Sequence, residues 1–180
     1  MTLPTFRYHP DPVRSGSIVE SDQTCSSCGE SRGYIYDDQP YGEQEEDLTI
    51  CPWCIADGSA HKKFDVEFMD EAVFEDDIPE AAIEEIVQRT PGYASWQGEA
   101  WPTCCGDATA FIMPAGIEEI RTPENYELEG MIFDHVVHGM GMSGSSVTRL
   151  VNSLNRDKGP TVYVFRCLHC KGPKFHIDFP

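Results

Sequence analysis

The clearest alternation of apolar and polar residues lies near the C-terminal end of the chain. Residues 161–165 form a mostly apolar run, and residues 174–179 alternate so that Phe175, Ile177 and Phe179 share one face. Such alternation is typical of a β-strand with one buried face. A cysteine pair and a Lys-Gly-Pro turn separate the two runs. The pattern therefore predicts an antiparallel hairpin with the cysteine pair at its tip.

A helical pattern occupies the middle of the chain. Four apolar residues recur there at helical spacing, namely Ala82, Ile83, Ile86 and Val87. Asp77, Pro79 and Glu80 precede them in the order typical of a capped helix start, and Thr-Pro-Gly at 90–92 ends the pattern. The sequence therefore predicts a helix that begins after Asp77 and ends before the Thr-Pro-Gly segment.

Weaker patterns complete the outline of an α+β chain. Strands are predicted at residues 33–36 and 108–113, and further helices at 117–120, 125–138 and 146–155. The glycines of residues 139–144 predict a flexible connection. The first 24 residues contain three prolines and are expected to form an extended arm on the surface. Residues 64–80 mix aromatic and acidic side chains, so an amphipathic helix and an ordered loop both stay open there.

Two cysteine pairs in the first third of the chain have the spacing of a structural zinc site. Two residues separate Cys25 from Cys28, and two separate Cys51 from Cys54. Each such knuckle turns two sulfurs inward, and two knuckles complete the tetrahedral thiolate set that zinc prefers. The 22 residues between the pairs, from 29 to 50, exceed the usual spacing of about 15 to 20. A hairpin with a longer, acidic tip spans that distance, so the sequence predicts a zinc ribbon.

The second of these pairs also resembles a thiol redox motif. Cys51-Pro-Trp-Cys54 follows an apparent strand at 48–50 and precedes a candidate helix, as a thioredoxin-type pair does. A redox function leaves Cys25 and Cys28 unexplained, whereas a zinc site uses all four thiols. Zinc is therefore the favoured interpretation, and redox chemistry is the alternative.

The other four cysteines predict a second zinc site. Cys167 and Cys170 lie at the predicted hairpin tip, and Cys104 and Cys105 are the remaining thiols. Adjacent cysteines point apart in a strand but can both reach one ion from a turn, and the Gly-Asp that follows favours a turn. Two Zn²⁺ ions are therefore expected in all. The fourth ligand of this site is expected to be Cys104, with these alternatives: His169, His176 or Asp107.

The charge of the chain limits its partners. Among 180 residues, 31 are acidic and 13 basic, which gives a formal net charge of -18. Such a protein repels phosphate backbones and anionic lipids, so direct binding of nucleic acid is not expected. A basic protein or toxin suits the charge better, although acidity often serves only solubility.

The sequence lacks the apolar pattern of a membrane span or a secretory signal, which predicts the cellular compartment of the protein. The chain has neither a run of eighteen apolar residues nor the basic and then apolar start of a secretory signal. No membrane insertion is therefore predicted, and the expected location is the cytoplasm. Thiols stay reduced there, which favours metal ligation over disulfides.

Distinctive segments occur along nearly the whole chain, at residues 6–12, 32–36, 51–60, 89–92, 105–107 and 165–170. Together they resemble the CbrC family, named for a bacterial colicin tolerance protein. The resemblance implies a role in bacteriocin tolerance or immunity and no particular chemistry. It also implies that relatives commonly carry histidine at position 104, which suits a zinc ligand, and a cysteine at position 109, where this chain has Thr109.

These patterns predict an α+β protein with two zinc-ribbon or zinc-knuckle modules, each with a small antiparallel sheet, joined by helices. The predicted domains are residues 1–92, with the acidic helical segment, and residues 93–180, with the second zinc site. Both ions are expected to be structural. The favoured function is therefore non-enzymatic binding of a partner through an acidic surface.

The alternative function is a zinc-dependent hydrolase that uses an open second site. In it, Cys105, Cys167 and Cys170 hold the ion, and a water fills the fourth position. Zinc lowers the pKa of such a water enough to make it a nucleophile near neutral pH. Asp107 or Glu99 would then act as the base.

Overall fold

The longest strands form a three-stranded antiparallel sheet, seen in a computed structural model that describes residues 2–43, 47–74, 78–123 and 125–180. Strands β5 (Ala110–Ala115), β6 (Thr161–Arg166) and β7 (Pro173–Asp178) lie in that order. Because β6 is central, its residues 161–165 are all buried, which accounts for the apolar run in the sequence. The predicted hairpin of β6 and β7 is confirmed.

Helices cover one face of this sheet. Their bounds are α5 (Ile117–Ile120), α6 (Tyr126–Asp134), a π-helical turn (His135–Gly139) and α7 (Ser145–Ser153). Their apolar residues pack on Met113, Val162 and Val164 of the sheet. The predicted helices at 117–120, 125–138 and 146–155 are therefore confirmed, while the flexibility of the 139–144 connection stays a prediction.

An aromatic core lies on the other face. Tyr93 stacks on Phe111 with ring centroids 4.4 Å apart, and Trp101 packs edge-on against Phe165 at 5.7 Å. Helix α4 (Glu80–Arg89) packs against this core through residues that include Ala82 and Ile86. The helix predicted there is confirmed, although its expected cap, Asp77, lies outside the described residues.

The first half of the chain builds a smaller core around short elements. These are α1 (Pro12–Ser15), β1 (Ile18–Glu20), β2 (Tyr34–Tyr36), α2 (Pro52–Ala56) and α3 (Ser59–Phe64). The predicted strand at 33–36 is confirmed as β2, which pairs with β1. Residues 48–50, expected as a strand, form none; single hydrogen bonds from Tyr36 N and Ser26 N to carbonyls of this segment hold it in place instead.

The expectation of an extended N-terminal arm on the surface was wrong. Phe6, Tyr8 and His9 are 5%, 0% and 0% exposed, and α1 and β1 follow them. The backbone N–H of Phe111 donates to the Tyr8 carbonyl, so the segment lies along the edge of β5. Prolines favoured extended backbone, but large apolar side chains placed that backbone in the core.

Two predicted segments fall partly outside the described residues. The acidic tip at 43–47 includes residues 44–46, and the aromatic and acidic segment at 64–80 includes residues 75–77. Between the ends of α3 and α4, the described residues 65–74 and 78–79 form a loop with one 3₁₀ turn (Glu71–Val73), so no amphipathic helix forms in those residues. Two short strands, β3 (Thr103–Cys104) and β4 (Asp107–Ala108), form a second small hairpin.

The aromatic core joins residues from both predicted domains. It contains Tyr8 and Ile86 from one side of residue 92, and Phe111 and Phe165 from the other. The domain division at residue 92 stays a prediction. Within the described ranges, no helix is both long enough and apolar enough to cross a membrane.

Candidate metal centres

The first cysteine cluster has the dimensions of a tetrahedral metal site. The thiol sulfurs of Cys25, Cys28, Cys51 and Cys54 all lie within 4.8 Å of one another. The Cys28 and Cys51 sulfurs are 3.9 Å apart. A zinc ion with Zn–S bonds of about 2.3 Å requires sulfurs about 3.8 Å apart at the corners of a tetrahedron. The cluster therefore has the size and the ligand number that a zinc ion requires.

Local backbone geometry brings these four thiols together. Gly29, with a φ of +75°, ends the first knuckle, and its N–H donates to the Cys25 carbonyl at 2.8 Å. In the second knuckle, Pro52 starts helix α2 and Cys54 lies in its first turn. Proline suits the first turn of a helix because it has no N–H to leave unpaired. Cys51, Cys54 and Cys25 are buried in the smaller core.

Backbone donors prepare one thiol of this cluster for ionisation. Burial alone raises the pKa of Cys25, but N–H groups of Cys28, Cys51 and Ser27 outweigh it and lower the pKa to about 7. The N–H of Cys51 lies 3.3 Å from the Cys25 sulfur. Burial raises the pKa of Cys51 and of Cys54. Because metal ligands must be thiolates, a bound cation would reverse these two shifts.

The second cluster joins the tips of two hairpins. Cys105 and Gly106 connect β3 to β4 with φ values of +57° and +72°, as a two-residue type I′ turn requires. This turn lets both adjacent cysteines reach one point, and their sulfurs are 3.8 Å apart. The Cys104 and Cys170 sulfurs are also 3.8 Å apart. All four sulfurs, with that of Cys167, lie within 4.8 Å of one another.

The knuckle at the tip of β6 and β7 supplies the buried ligand of this cluster. The N–H groups of His169 and Cys170 each donate to the Cys167 sulfur at 3.4 Å. Burial opposes ionisation, but the N–H groups of Cys170 and His169 outweigh it and lower the pKa of Cys167 to about 6. Cys104, which lacks such donors, has its pKa raised to about 12, first by its hydrogen bond with Cys167.

The alternatives for the fourth ligand have other partners. His169 Nε2 lies 3.0 Å from Asp107 Oδ2, and His176 stacks on Tyr163 in the sheet. Thr109, at the position where relatives are expected to carry cysteine, donates its hydroxyl to the Pro102 carbonyl at 2.6 Å. Only Cys104 among these residues places a donor atom in the cluster.

Asp107 connects the second cluster to the N-terminal segment. Arg7 Nη2 donates to its Oδ2 at 2.6 Å, and the Tyr8 hydroxyl donates to its Oδ1 at 2.8 Å. Burial raises the pKa of this carboxyl, but the hydrogen bonds from His169 and Tyr8 and the charge of Arg7 outweigh it, so the pKa is below its ordinary value. Sequence reasoning missed Arg7 and Tyr8 as supports, since nothing in their spacing indicates a contact one hundred residues away.

A lysine caps each cluster, which sequence reasoning also missed. Lys63 Nζ donates to the carbonyls of Ser26 and Ser27, both at 2.8 Å, in the first knuckle. Lys171 Nζ donates to the Leu168 carbonyl at 2.5 Å in the knuckle of the second cluster. Four thiolates around one Zn²⁺ leave a net charge of about -2, so a nearby ammonium is favourable. Lys171 directly follows a cysteine, which was the one signal available in the sequence.

The donor set indicates which metal suits these centres. Four soft thiolates in a tetrahedral arrangement select zinc or iron–sulfur chemistry over magnesium and calcium. All eight cysteines are free of disulfides. The structure thus brings together the eight residues named from the sequence, in the expected sets of four, and both sets could hold zinc.

Comparison with known proteins identifies a family that matches nearly the whole chain. The model of the family described as "Uncharacterised protein family (UPF0167)" matches residues 3–179. The UPF0167 protein Mb2317 of Mycobacterium bovis is 41% identical over 178 residues, which cover 98% of this chain and 94% of the relative. The UPF0167 protein PA1536 of Pseudomonas aeruginosa is 40% identical over 179 residues, covering 98% and 97%. No solved structure matches the chain. These matches name neither CbrC nor colicin tolerance.

Proposed function

The chain belongs to the UPF0167 family, and we propose that it is a two-zinc binding protein that acts by holding a basic partner rather than by catalysis. The observation that carries the metal assignment is the convergence of eight thiols into two sets of four at tetrahedral spacing. Sites closed by four protein ligands are structural, whereas catalytic zinc keeps one position for water. Zinc would then stabilise the surface that binds the partner.

The surroundings of the second cluster favour a structural role over hydrolysis. The proposed base, Asp107, already accepts hydrogen bonds from Arg7 and Tyr8 and lies against His169. A general base has to reach the proton it removes, and each oxygen of this carboxylate is occupied. We therefore favour an ion with four thiolate ligands here, made by Cys104 together with Cys105, Cys167 and Cys170.

The charge supports a basic partner. Within the described ranges, ion pairs between an arginine and a carboxylate number four, against 31 acidic residues in the chain. Most of the carboxylates that the structure describes are exposed and lie outside these pairs. An unpaired acidic surface attracts basic proteins over several ångströms and speeds their association at low salt. A bacteriocin, as the likeness to CbrC proteins suggests, is one such partner.

One experiment tests metal and partner together. Protein purified without added metal is analysed for zinc by mass spectrometry and is then titrated with basic proteins at low and high salt. We expect two zinc ions per chain, and binding that weakens as salt is raised. Acidic proteins of similar size serve as the control. Fewer than two ions, or equal binding of basic and acidic proteins, would contradict the proposal.

A further inference from the structure

A cavity of about 260 Å³, partly open to solvent, lies between the first strand pair and the aromatic core. Five of the fifteen described residues that line it are aromatic, namely Tyr36, Tyr93, Trp96, Phe111 and Tyr163. Concave sites with apolar walls and a few polar groups are where proteins usually bind small ligands and side chains. None of the eight cysteines lines this cavity, so it is separate from both metal centres.

The walls of the cavity are preformed. Tyr93 is fixed by stacking on Phe111 at 4.4 Å, and its hydroxyl both donates to and accepts from the backbone of Ala100, at 2.6 and 3.0 Å. A Cβ at Gly92 would lie 2.1 Å from the Phe68 carbonyl oxygen, so only glycine permits this approach of the loop. A ligand therefore meets an ordered surface and loses little affinity to rearrangement.

Trp96 provides an exposed aromatic face at this cavity. The residue is 43% exposed, yet its indole N–H donates to Thr161 Oγ1 at 2.9 Å. Its backbone N–H donates to Asp178 Oδ2 at 2.7 Å. A large apolar ring held in place at the surface is a platform for a cation, which is attracted to the electron-rich face of the indole.

Two exposed carboxylates lie at the opening of the cavity. Asp37 and Asp38 follow β2 directly, line the cavity and are exposed. In the part of the chain that the structure describes, neither forms an ion pair. Glu99 lies nearby, and its pKa is raised by burial and then by the charges of Asp38 and Asp70. The field at this edge is therefore negative.

Among the described residues that line the cavity, Arg156 is the one arginine, and it is engaged elsewhere. Arg156 Nη2 donates to the Arg14 carbonyl at 3.3 Å, and its Nε lies 3.8 Å from Asp157 Oδ1. Its charge is thus partly compensated away from Asp37 and Asp38. Its positive charge still repels an incoming cation. Removing that charge should therefore strengthen binding, which is the opposite of the effect expected when an aspartate is neutralised.

We propose that this cavity binds the guanidinium or ammonium head of an arginine or lysine side chain from a basic polypeptide, between the face of Trp96 and the carboxylates of Asp37 and Asp38. The proposal rests on the proposed function, since it names the site at which a basic partner is held. The aromatic face supplies attraction to the cation, and the two carboxylates supply charge. A neutral side chain of the same shape lacks both attractions.

The test uses the full zinc-loaded chain and a blocked peptide, Gly-Gly-Arg-Gly-Gly. Binding is followed at low salt by nuclear magnetic resonance, through the indole N–H signal of Trp96, with that of Trp53 as internal reference. The same peptide with citrulline in place of arginine is the neutral control. We expect the Trp96 signal to shift with the arginine peptide and to stay unchanged with the citrulline peptide.

Variants then assign the contacts. Asp37→Asn and Asp38→Asn should each weaken binding about threefold, the size expected of a partly exposed charge pair. Trp96→Leu should weaken it by a similar factor, about threefold. Arg156→Gln should tighten binding, because it removes a like charge. Asp22→Asn, an exposed aspartate elsewhere on the chain, is the matched control and should leave the affinity unchanged.

Each outcome decides the matter. Weakening by both cavity aspartates, with Asp22→Asn inert, supports the site. Equal effects of all three aspartate changes, or equal binding of the citrulline peptide, would overturn it. Titration of the Asp37→Asn/Asp38→Asn double variant with intact basic proteins separates the two proposals. If the basic proteins bind the double variant as tightly as they bind the parent chain, the proposed cavity site is refuted while the proposed function stands. If they bind neither the double variant nor the parent chain, both proposals fail.

Discussion

The two cysteine clusters have the same ligands but different surroundings. In the first, Cys25, Cys51 and Cys54 are buried among the apolar side chains of the smaller core. In the second, only Cys167 is buried, and the other thiols lie at the tips of two hairpins. The first ion would therefore be part of a core, whereas the second would join hairpins of a region with its own sheet. Although the two ions would have the same ligands, their different surroundings predict that folding depends more on the first ion than on the second.

The largest expected effect is at the first cluster. Cys54→Ser should abolish its metal binding and unfold the first half of the chain, because the binding energy of a structural zinc is part of the folding energy, roughly 10 kcal/mol or more. Thermal unfolding followed by circular dichroism measures the loss. The matched change Cys170→Ser, at the second cluster, should leave the first half folded. Equal melting curves for the two variants would refute the comparison.

The next effect isolates the second cluster. Cys104→Ala should lose the second ion under mild chelator competition and keep the first, since water replaces one of four thiolates. Cys104→His should keep both ions, because imidazole also satisfies tetrahedral zinc, with a bond of about 2.0 Å. Zinc is counted in each variant after dialysis against chelator. Two firmly held ions in Cys104→Ala would mean that Cys104 is not a ligand.

The sequence predicted the clusters better than it predicted what surrounds them. Two-residue spacing between cysteines restricts sulfur positions locally, so Cys25 and Cys28, or Cys167 and Cys170, could be paired from spacing alone. The β6–β7 hairpin and α4 were predictable for the same reason, because periodicity is a local property.

Contacts between distant segments were not predictable. Burial of Tyr8 and the bonds of Asp107 to Arg7 depend on segments about 100 residues apart. Neither spacing nor periodicity encodes such contacts. Asp107 was considered as a metal ligand because its residue type allows it, and only the fold shows that other groups occupy its oxygens.

A smaller effect concerns His9, which joins the two regions because its ring packs edge-on against Phe111 of β5, with ring centroids 5.0 Å apart. His9 is buried between Pro91 and Ser15, with its ring nitrogens 2.8 and 2.7 Å from the Pro91 carbonyl and the Ser15 hydroxyl. Burial lowers its pKa from 6.5 to about 4. As the pH is lowered, the unfolded chain therefore takes up a proton at this histidine before the folded chain does. The stability that the neutral ring contributes is fully present above pH 6.5, and about 3 kcal/mol of it is lost between pH 6.5 and 4.

This dependence is measured as the free energy of unfolding in urea between pH 7.5 and 5.5, with zinc content checked at each pH. His9→Gln should be less stable at pH 7.5 but should lose stability less steeply as the pH falls. His138→Gln, at an exposed histidine, is the control and should keep the slope of the parent. An unchanged slope in His9→Gln would contradict the assignment.

The smallest expected effect concerns the lysine caps. Lys63→Met and Lys171→Met each remove an ammonium that donates to a knuckle carbonyl. Because these side chains are exposed, each change should cost about 1 kcal/mol or less. Chelator competition should show the loss only at the cluster whose lysine was changed. A loss at the opposite cluster would mean that the lysines act through the fold and not on the metal site.

The most direct test of unequal clusters is alkylation of the cysteines while a chelator is titrated into the native protein, with each labelled residue identified by mass spectrometry. Thiolates bound to zinc react slowly, so labelling reports which ion has left. We predict that Cys104, Cys105, Cys167 and Cys170 are labelled first as one group, and that Cys25, Cys28, Cys51 and Cys54 follow only at higher chelator concentration. Labelling of all eight before chelator is added, or of the first cluster ahead of the second, would contradict the account.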